Sequence, residues 1–350
     1  MKQILSILFV FSLISDGFAQ IGGRSAYEFL NLPGSARVAS LGGKMLAAYD
    51  GDLTLAFFNP ALLNREMDRQ LTLNFVSYFA DIRFGSVAYA RHIDDRGTLS
   101  AGINFIHYGK FTAADETGEI TGHFRASDYT LNLSWAMPID SSFHAGICIK
   151  PVFSAYERYT SLGLAADVGV CYNHPGKNFT AALVARNIGM QIIAYNRGTQ
   201  EPIPFEIMLG ASHKLEHAPF RFYLLLHHLE RWKLTYTLSD DAQEPLTPAY
   251  QTDTSGSLES FAENILRHVV AGVEIIPLDN LFFRIGYNYQ RRRELQVSSR
   301  TGTVGFSWGF GVKISRFSIS YGRATYHLAG ASNHFSVATN LSAFSRALIH

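Results

Sequence analysis

Leu281-Phe282-Phe283-Arg284-Ile285-Gly286-Tyr287-Asn288-Tyr289-Gln290 alternates in character. Leu, Phe, Ile, Tyr and Tyr fall on one side, and mostly Arg, Gly, Asn and Gln on the other. Period-two alternation marks a strand whose two faces meet different surroundings. Residues 303–313, TVGFSWGFGVK, repeat it, with Val304, Phe306, Trp308, Phe310 and Val312 opposite Thr303, Gly305, Ser307, Gly309, Gly311 and Lys313. Phe317, Ile319 and Tyr321 against Ser318, Ser320 and Gly322 continue the pattern.

Working outward, similar segments lie near 71–79, 83–93, 98–108, 126–138, 142–154, 161–173, 178–188, 204–215, 219–229, 266–276 and 333–344, about 14 strands in all. That even number is in the range of outer-membrane barrels. A soluble sandwich also alternates, but it buries its aromatic face and shows charge to water. Here the aromatic face is large, while the other carries glycine, serine, asparagine and isolated charges such as Asp167, Glu274 and Arg284. A lipid-facing wall around a polar lumen has that arrangement. Tyr287, Tyr289, Tyr321, Tyr326 and Trp135, near strand ends, fit an interfacial girdle.

Connection lengths point the same way. Every second connection is short, as at 94–97, 138–141, 173–177, 216–218, 277–279 and 315–316. The others are mostly long, at 109–125, 189–203, 230–265 and 291–302, with the first hairpin near Asp81 as the exception. Short turns on one side of the membrane and long loops on the other are usual in such barrels. The expectation is an all-β transmembrane antiparallel barrel over 70–350, with those four long loops external.

Charged residues are 17% and aromatics 13% of the 350 residues, with a formal net charge of +1. The low charge fits a surface only partly in water, and the balance gives no argument for nucleic acid. Lys2, the apolar run Ile4 to Ile14 and Gly17-Phe18-Ala19 read as an export signal over 1–19. Beyond it no apolar run is long enough for a helical membrane span. With a turn near Glu157, Cys148 falls opposite Asp167 and Cys171 lies out of register, so two free thiols are expected.

Residues 20–69 do not alternate. Within them 37–63, RVASLGGKMLAAYDGDLTLAFFNPALL, is rich in small residues, has a glycine pair at Gly42 and Gly43, and reaches Asn59-Pro60. It reads as a hatch inside the barrel, with Arg37, Asp50 and Asp52 among its charged members and Pro60 as its end. Asp167, Glu274, Arg284 and Lys313 are then lumen charges, which either hold the hatch or line a pore; an unpaired charge in a narrow lumen is costly, favouring the first.

Signals for catalysis are weak. Gly305-Phe306-Ser307-Trp308-Gly309 matches G-x-S-x-G, but mid-strand it lacks the strand-to-helix elbow that exposes the serine. His227 and His228, adjacent on a strand, point to opposite faces and are not expected to chelate one ion. Arg291, Arg292 and Arg293 fall in an external loop, where with Lys110, Glu116, Asp240 and Glu244 they are candidates to face a partner.

The mature start carries Ile21-Gly22-Gly23, Tyr27-Glu28-Phe29-Leu30, Leu32-Pro33, Ser35-Ala36-Arg37, Leu41-Gly42-Gly43, Asp50, Asp52 and Asn59-Pro60-Ala61. On these it resembles the PorV/PorQ family of the type IX secretion system, on its PorQ side, which in turn is similar to the FadL-like barrels of fourteen strands with an N-terminal hatch. The resemblance implies a non-enzymatic subunit in the outer membrane of a Gram-negative bacterium, without a cofactor. It also implies a surface-exposed PorZ-like partner and other type IX components in an attachment complex for secreted cargo. The alternatives are a PorV-like cargo shuttle and a FadL-type transporter for hydrophobic small molecules.

Overall fold

The computed structural model describes residues 25–196, 198–234, 257–295, 302–327 and 330–345. The expected export signal over 1–19 and the candidates Asp240 and Glu244 lie outside them. Fourteen antiparallel strands close into a barrel in sequence order, the last pairing with the first. They are β1 (Gln70–Ser77), β2 (Arg83–Ile93), β3 (Gly97–Ala114), β4 (Ile120–Pro138), β5 (Phe143–Tyr156), β6 (Tyr159–His174) and β7 (Phe179–Ile193). Then follow β8 (Glu206–Lys214), β9 (Phe220–Leu226), β10 (Val269–Leu278), β11 (Leu281–Asn288), β12 (Phe306–Ile314), β13 (Phe317–His327) and β14 (Gly330–Asn340). Closure removes every unpaired edge, which a sheet in lipid requires. No described helix is long and apolar enough to cross a membrane.

The alternation sorts residues as the periodicity predicts. In β1, Leu73 and Phe75 face out and Thr72, Asn74 and Val76 are buried toward the lumen. On the outer face one cross-strand row reads Phe283, Phe310, Tyr321, Phe335 and Phe75. It continues through Gly85, Phe105, Tyr129 and Phe153. At Gly85 the ring of Phe105 lies over the backbone; a Cβ there would stand 2.4 Å from its Cζ.

The stretch read as external loop 109–125 is largely strand. β3 and β4 have 18 and 19 residues, well beyond the roughly 9–11 that cross a bilayer. Above the wall they pair Lys110 with Arg125, Phe111 with Phe124 and Thr112 with His123, and turn at 115–119. Water on both faces removes the one-sided apolar pattern, so the sequence shows no alternation there. The loop read at 291–302 also begins differently, because a helix, Tyr289–Leu295, follows β11 directly. Helix Ser257–Arg267 closes the end of the 230–265 connection.

The core lies inside the barrel, between wall and hatch. Val38, Leu41, Met45, Leu46, Leu55, Phe58 and Leu62 of the hatch pack on Cys171, Val184, Met208, Leu225 and Val270 of the wall. Wall glycines admit this approach. A Cβ at Gly146 would sit 2.5 Å from the Pro60 carbonyl carbon, one at Gly169 2.1 Å from Asn59 Oδ1, and one at Gly322 2.4 Å from Ala36 O. Cys148 pairs with Asp167 and both thiols are free, as the register argument expects.

Pro60 does not end the hatch. Asn59 caps a 3-10 turn, Pro60–Leu62, through Oδ1 and the Ala61 N–H, and Pro60 is its first residue, where a missing N–H costs nothing. A further turn, Arg65–Met67, precedes β1.

Candidate functional site

The hatch begins at one mouth of the lumen and ends at the other, doubling back on the way. Ala26 N–H bonds to Pro202 O in the β7–β8 connection, among the long connections. Arg65 stands 3.7 Å from Asp94 in the β2–β3 turn, among the short ones. Between those ends charged side chains tie the hatch to the wall.

Toward the short turns, Arg221, Glu274 and Arg284 are cross-strand neighbours on β9, β10 and β11, all directed inward. Arg37 reaches them from the short helix Ala36–Ser40, whose first turn is capped by Ser35 Oγ accepting from Val38 N. Its Nε and Nη2 donate to Glu274 Oε1 and Oε2 at 2.9 and 2.8 Å. On its other edge Nη1 and Nη2 donate to the two Asp50 oxygens at 2.9 and 2.8 Å, and Nη1 also to Asp52 at 3.1 Å. Arg221 bridges Asp50 and Glu274, and Arg284 Nε donates to Glu274 Oε1 at 2.8 Å. Three guanidinium groups thus meet three carboxylates, which leaves no buried charge unpaired. Burial alone would raise the Asp50 carboxyl, but the Arg37 charge outweighs it and holds the group down at about 2.

The glycine pair bends the hatch toward the opposite end. Gly42 and Gly43 have φ +92° and +91°, and a Cβ would stand 2.5 Å from Val270 Cγ1 or 2.3 Å from Arg291 Nη2. Arg291, read from sequence as partner-facing, is buried at 9% exposure. Its Nη2 donates to Gly42 O at 3.1 Å, its Nη1 to Ser307 Oγ at 3.3 Å, and its guanidinium stacks 4.3 Å from the Tyr326 ring. The helix beginning at Tyr289 turns this side chain inward where a continued loop would have left it outside. Arg292 is likewise occupied, donating to Gly302 O and to Val304 O at 3.3 Å. Arg293, on the outer side, donates to Glu263 at 2.9 Å. Ser307, the serine of the G-x-S-x-G match, lies on a strand as an acceptor of Arg291.

Asp167 heads a second buried group on β5, β6 and β7. It pairs with Lys150 and accepts from Asn187 N at 2.8 Å. Arg186 lies 3.8 Å from it, donates to Leu30 O of the hatch at 2.9 Å and stacks 4.6 Å from the Phe58 ring. Lys313 stands apart from both groups, 5.2 Å from the Phe282 ring at the lumen mouth. Lys110 and Glu116 are exposed on the projecting β3–β4 hairpin.

Several members were not singled out from the sequence: Arg221, Lys150, Arg186 and the pair Lys44 with Glu206. Lys150 and Glu206 point inward on strands, Arg221 sits among apolar neighbours on β9, and Lys44 lies in the hatch, where no periodicity marks it. The histidine reading is corrected too. β9 ends at Leu226 and His228 has φ +55°, so strand parity does not apply and both rings turn toward Glu206.

Two chambers with charged residues in their linings lie on either side of the hatch. One, of about 540 Å³, lies toward the short turns and is lined by Arg37, Asp50, Glu66, Lys214, Arg221 and Asp279 among others. The other, of about 530 Å³, includes Glu28, Lys44, His228, Arg231, Arg291 and Glu294. Beside Phe57 and Phe58 only about 10 Å³ is free, roughly the least that holds one water.

No protein-family profile matches the chain, and no curated protein matches it. Solved structures do. The toluene transporter TbuX of Ralstonia pickettii superposes with TM-score 0.51 at 12% identity, over 88% of this chain and 97% of that one. A deltaS2S3 mutant of TodX, a monoaromatic hydrocarbon channel, gives TM-score 0.52 at 12% identity, over 89% and 100%; TodX is a Pseudomonas putida toluene transporter. At this identity the likeness establishes a shared fold, a closed 14-strand antiparallel barrel.

Proposed function

We propose that this chain is a sealed, non-enzymatic outer-membrane scaffold that docks a surface-exposed protein at its long-connection end, as the PorV/PorQ resemblance implies within a type IX attachment complex. The observation that carries this reading is the hatch itself. It is anchored to the wall by Arg37 on Glu274 toward the short turns and by Arg291 on Gly42 toward the long connections, and beside Phe57 and Phe58 only about 10 Å³ is free. With the lumen closed, the chemistry the molecule offers is on its exterior. There the β3–β4 hairpin projects as an ordered, polar ribbon bearing Lys110 and Glu116.

The test is to isolate the protein from the outer membrane in mild detergent and identify what accompanies it. A large exported protein should co-purify, and shortening the hairpin by removal of 112–123 should release it while the barrel keeps its heat-modifiable gel migration. A partner that stays bound after this deletion and after loss of 240–260 sinks the docking reading.

A second reading draws on the likeness to TbuX and TodX: a conduit for hydrophobic small molecules. It calls for saturable binding of a monoaromatic or fatty-acid ligand to the purified barrel. The charged groups lining both chambers argue against it, because an apolar ligand cannot replace the water that solvates those open to the chambers, such as Lys214, Asp279 and Glu28.

A further inference from the structure

Glu206 begins β8 with its side chain fully buried, and three cationic or imidazole groups surround it. Lys44 of the hatch donates to Oε1. His227 Nδ1 lies 3.6 Å and His228 Nε2 3.4 Å from the same oxygen. One atom from each of Glu206, His227 and His228 falls within 4.8 Å of the others. Metal–ligand bonds of roughly 2.0–2.1 Å in tetrahedral geometry place neighbouring ligand atoms about 3.3 Å apart. The two imidazole-to-carboxylate distances are already close to that edge.

Two further observations point to a missing ligand. His227 is fully buried, yet neither ring nitrogen has a hydrogen-bond partner, and Glu206 Oε2 has none either. Buried polar atoms without partners are costly, and three in one cluster call for an occupant. In addition, His228 Nδ1 lies 3.0 Å from Glu230 Oε1, and Glu230 Oε2 is itself held by Ile207 N at 2.9 Å. A proton on Nδ1, shared with that carboxylate, leaves the Nε2 lone pair toward Glu206. A carboxylate behind a ligating histidine is the usual support of a metal-bound imidazole. An entry path exists, since Lys44 and His228 both line the 530 Å³ chamber.

The geometry points to a binding site for a divalent transition-metal cation of the Zn²⁺ class, formed by Glu206, His227 and His228. Two imidazoles and a carboxylate suit zinc, with one position left for water. The Lys44 ammonium now neutralises the carboxylate, so metal and lysine compete for Glu206. When the metal binds, Lys44 swings into the chamber and the hatch loses one of its ties to β8.

The test uses the full chain in mild detergent, washed with chelator and then titrated with Zn²⁺ in a calorimeter, with Co²⁺ as the spectroscopic probe. One Zn²⁺ per chain is expected, together with the visible bands of four-coordinate Co²⁺. His228→Ala, at a position open to the chamber, should weaken binding by about tenfold or more. Glu206→Gln should abolish it, and Lys44→Gln should tighten it. Failure of the folded wild type to bind Zn²⁺ stoichiometrically overturns the site. So does binding that is unchanged in His228→Ala while that variant retains heat-modifiable migration. Unchanged affinity in Lys44→Gln overturns the competition.

Discussion

Arg37 of the hatch and Glu274 of the wall share two parallel hydrogen bonds, Nε to Oε1 at 2.9 Å and Nη2 to Oε2 at 2.8 Å, although they are 237 positions apart in the chain. Such a fork fixes orientation as well as distance. Arg37→Met removes it and leaves Asp50, Asp52 and Glu274 with only Arg221 and Arg284. Losing one partner of a buried ion pair costs roughly 3–5 kcal/mol. The expected result is a barrel that still migrates as folded but whose hatch is cut by protease and whose conductance in a planar bilayer rises. A closed, protease-resistant variant would show that other contacts suffice.

The same cluster sets an acid limit. The Asp50 carboxyl is lowered from 3.8 to about 2, so its folded form binds a proton less readily than its unfolded form. Its contribution to stability is therefore complete above about pH 4 and lost as pH falls through 2. Hatch proteolysis measured along a pH series should rise within that window in the wild type. In Asp50→Asn the rise should be absent or smaller, with the hatch looser at neutral pH.

Wall glycines at the hatch contact should tolerate no side chain. Gly169→Val directs atoms into Asn59 and Gly146→Ala into the backbone at Pro60 and Ala61. Both should reduce assembled barrel in outer-membrane fractions, Gly169→Val more severely. Gly176→Ala, where the nearest atoms to a Cβ are 3.5 Å away on His174, should assemble normally. Equal yields for all three would refute the close packing.

Arg291 separates an inward role from an outward one. Arg291→Ala removes its bond to Gly42 O and its stacking on Tyr326, and should cost roughly 1.5–3 kcal/mol as a lost charge-assisted hydrogen bond. Urea unfolding should register that loss, whereas capture of any surface protein should be unchanged. Loss of capture with unaltered stability would return Arg291 to the outer surface.

Most of the wall was legible because its two faces meet lipid and a packed lumen, two surroundings that demand opposite residue types at every second position. β2 matches its expected span at both ends, and the register placing Cys148 against Asp167 follows from the same period. Reading failed where that contrast vanishes. The outer parts of β3 and β4 have water on both sides, and His228 leaves the strand through a left-handed residue that no periodicity announces. Arg37, Asp50, Asp52 and Glu274 were visible singly, but their meeting depends on how the hatch is threaded, a long-range fact with no local signature. Arg221 was overlooked because its inward neighbours Tyr223 and Leu225 are apolar, so β9 offered no polar face to notice.

The order of the hatch's ties along the chain has a mechanical consequence. Its covalent junction with β1 lies at Arg69–Gln70, on the short-turn side, whereas its described beginning at Ser25 lies at the other mouth. Tension applied near residue 69 on the short-turn side meets the turn at 65–67 first and then the Asn59 contacts, before the Arg37 cluster can be loaded. Tension applied from the opposite mouth loads Ala26 and the Leu30 carbonyl held by Arg186, and reaches the Arg37 cluster before the ties of Gly42 to Arg291 and of Lys44 to Glu206. The segment therefore peels in a different order from each side, and a pull of the same size need not do the same work in the two directions.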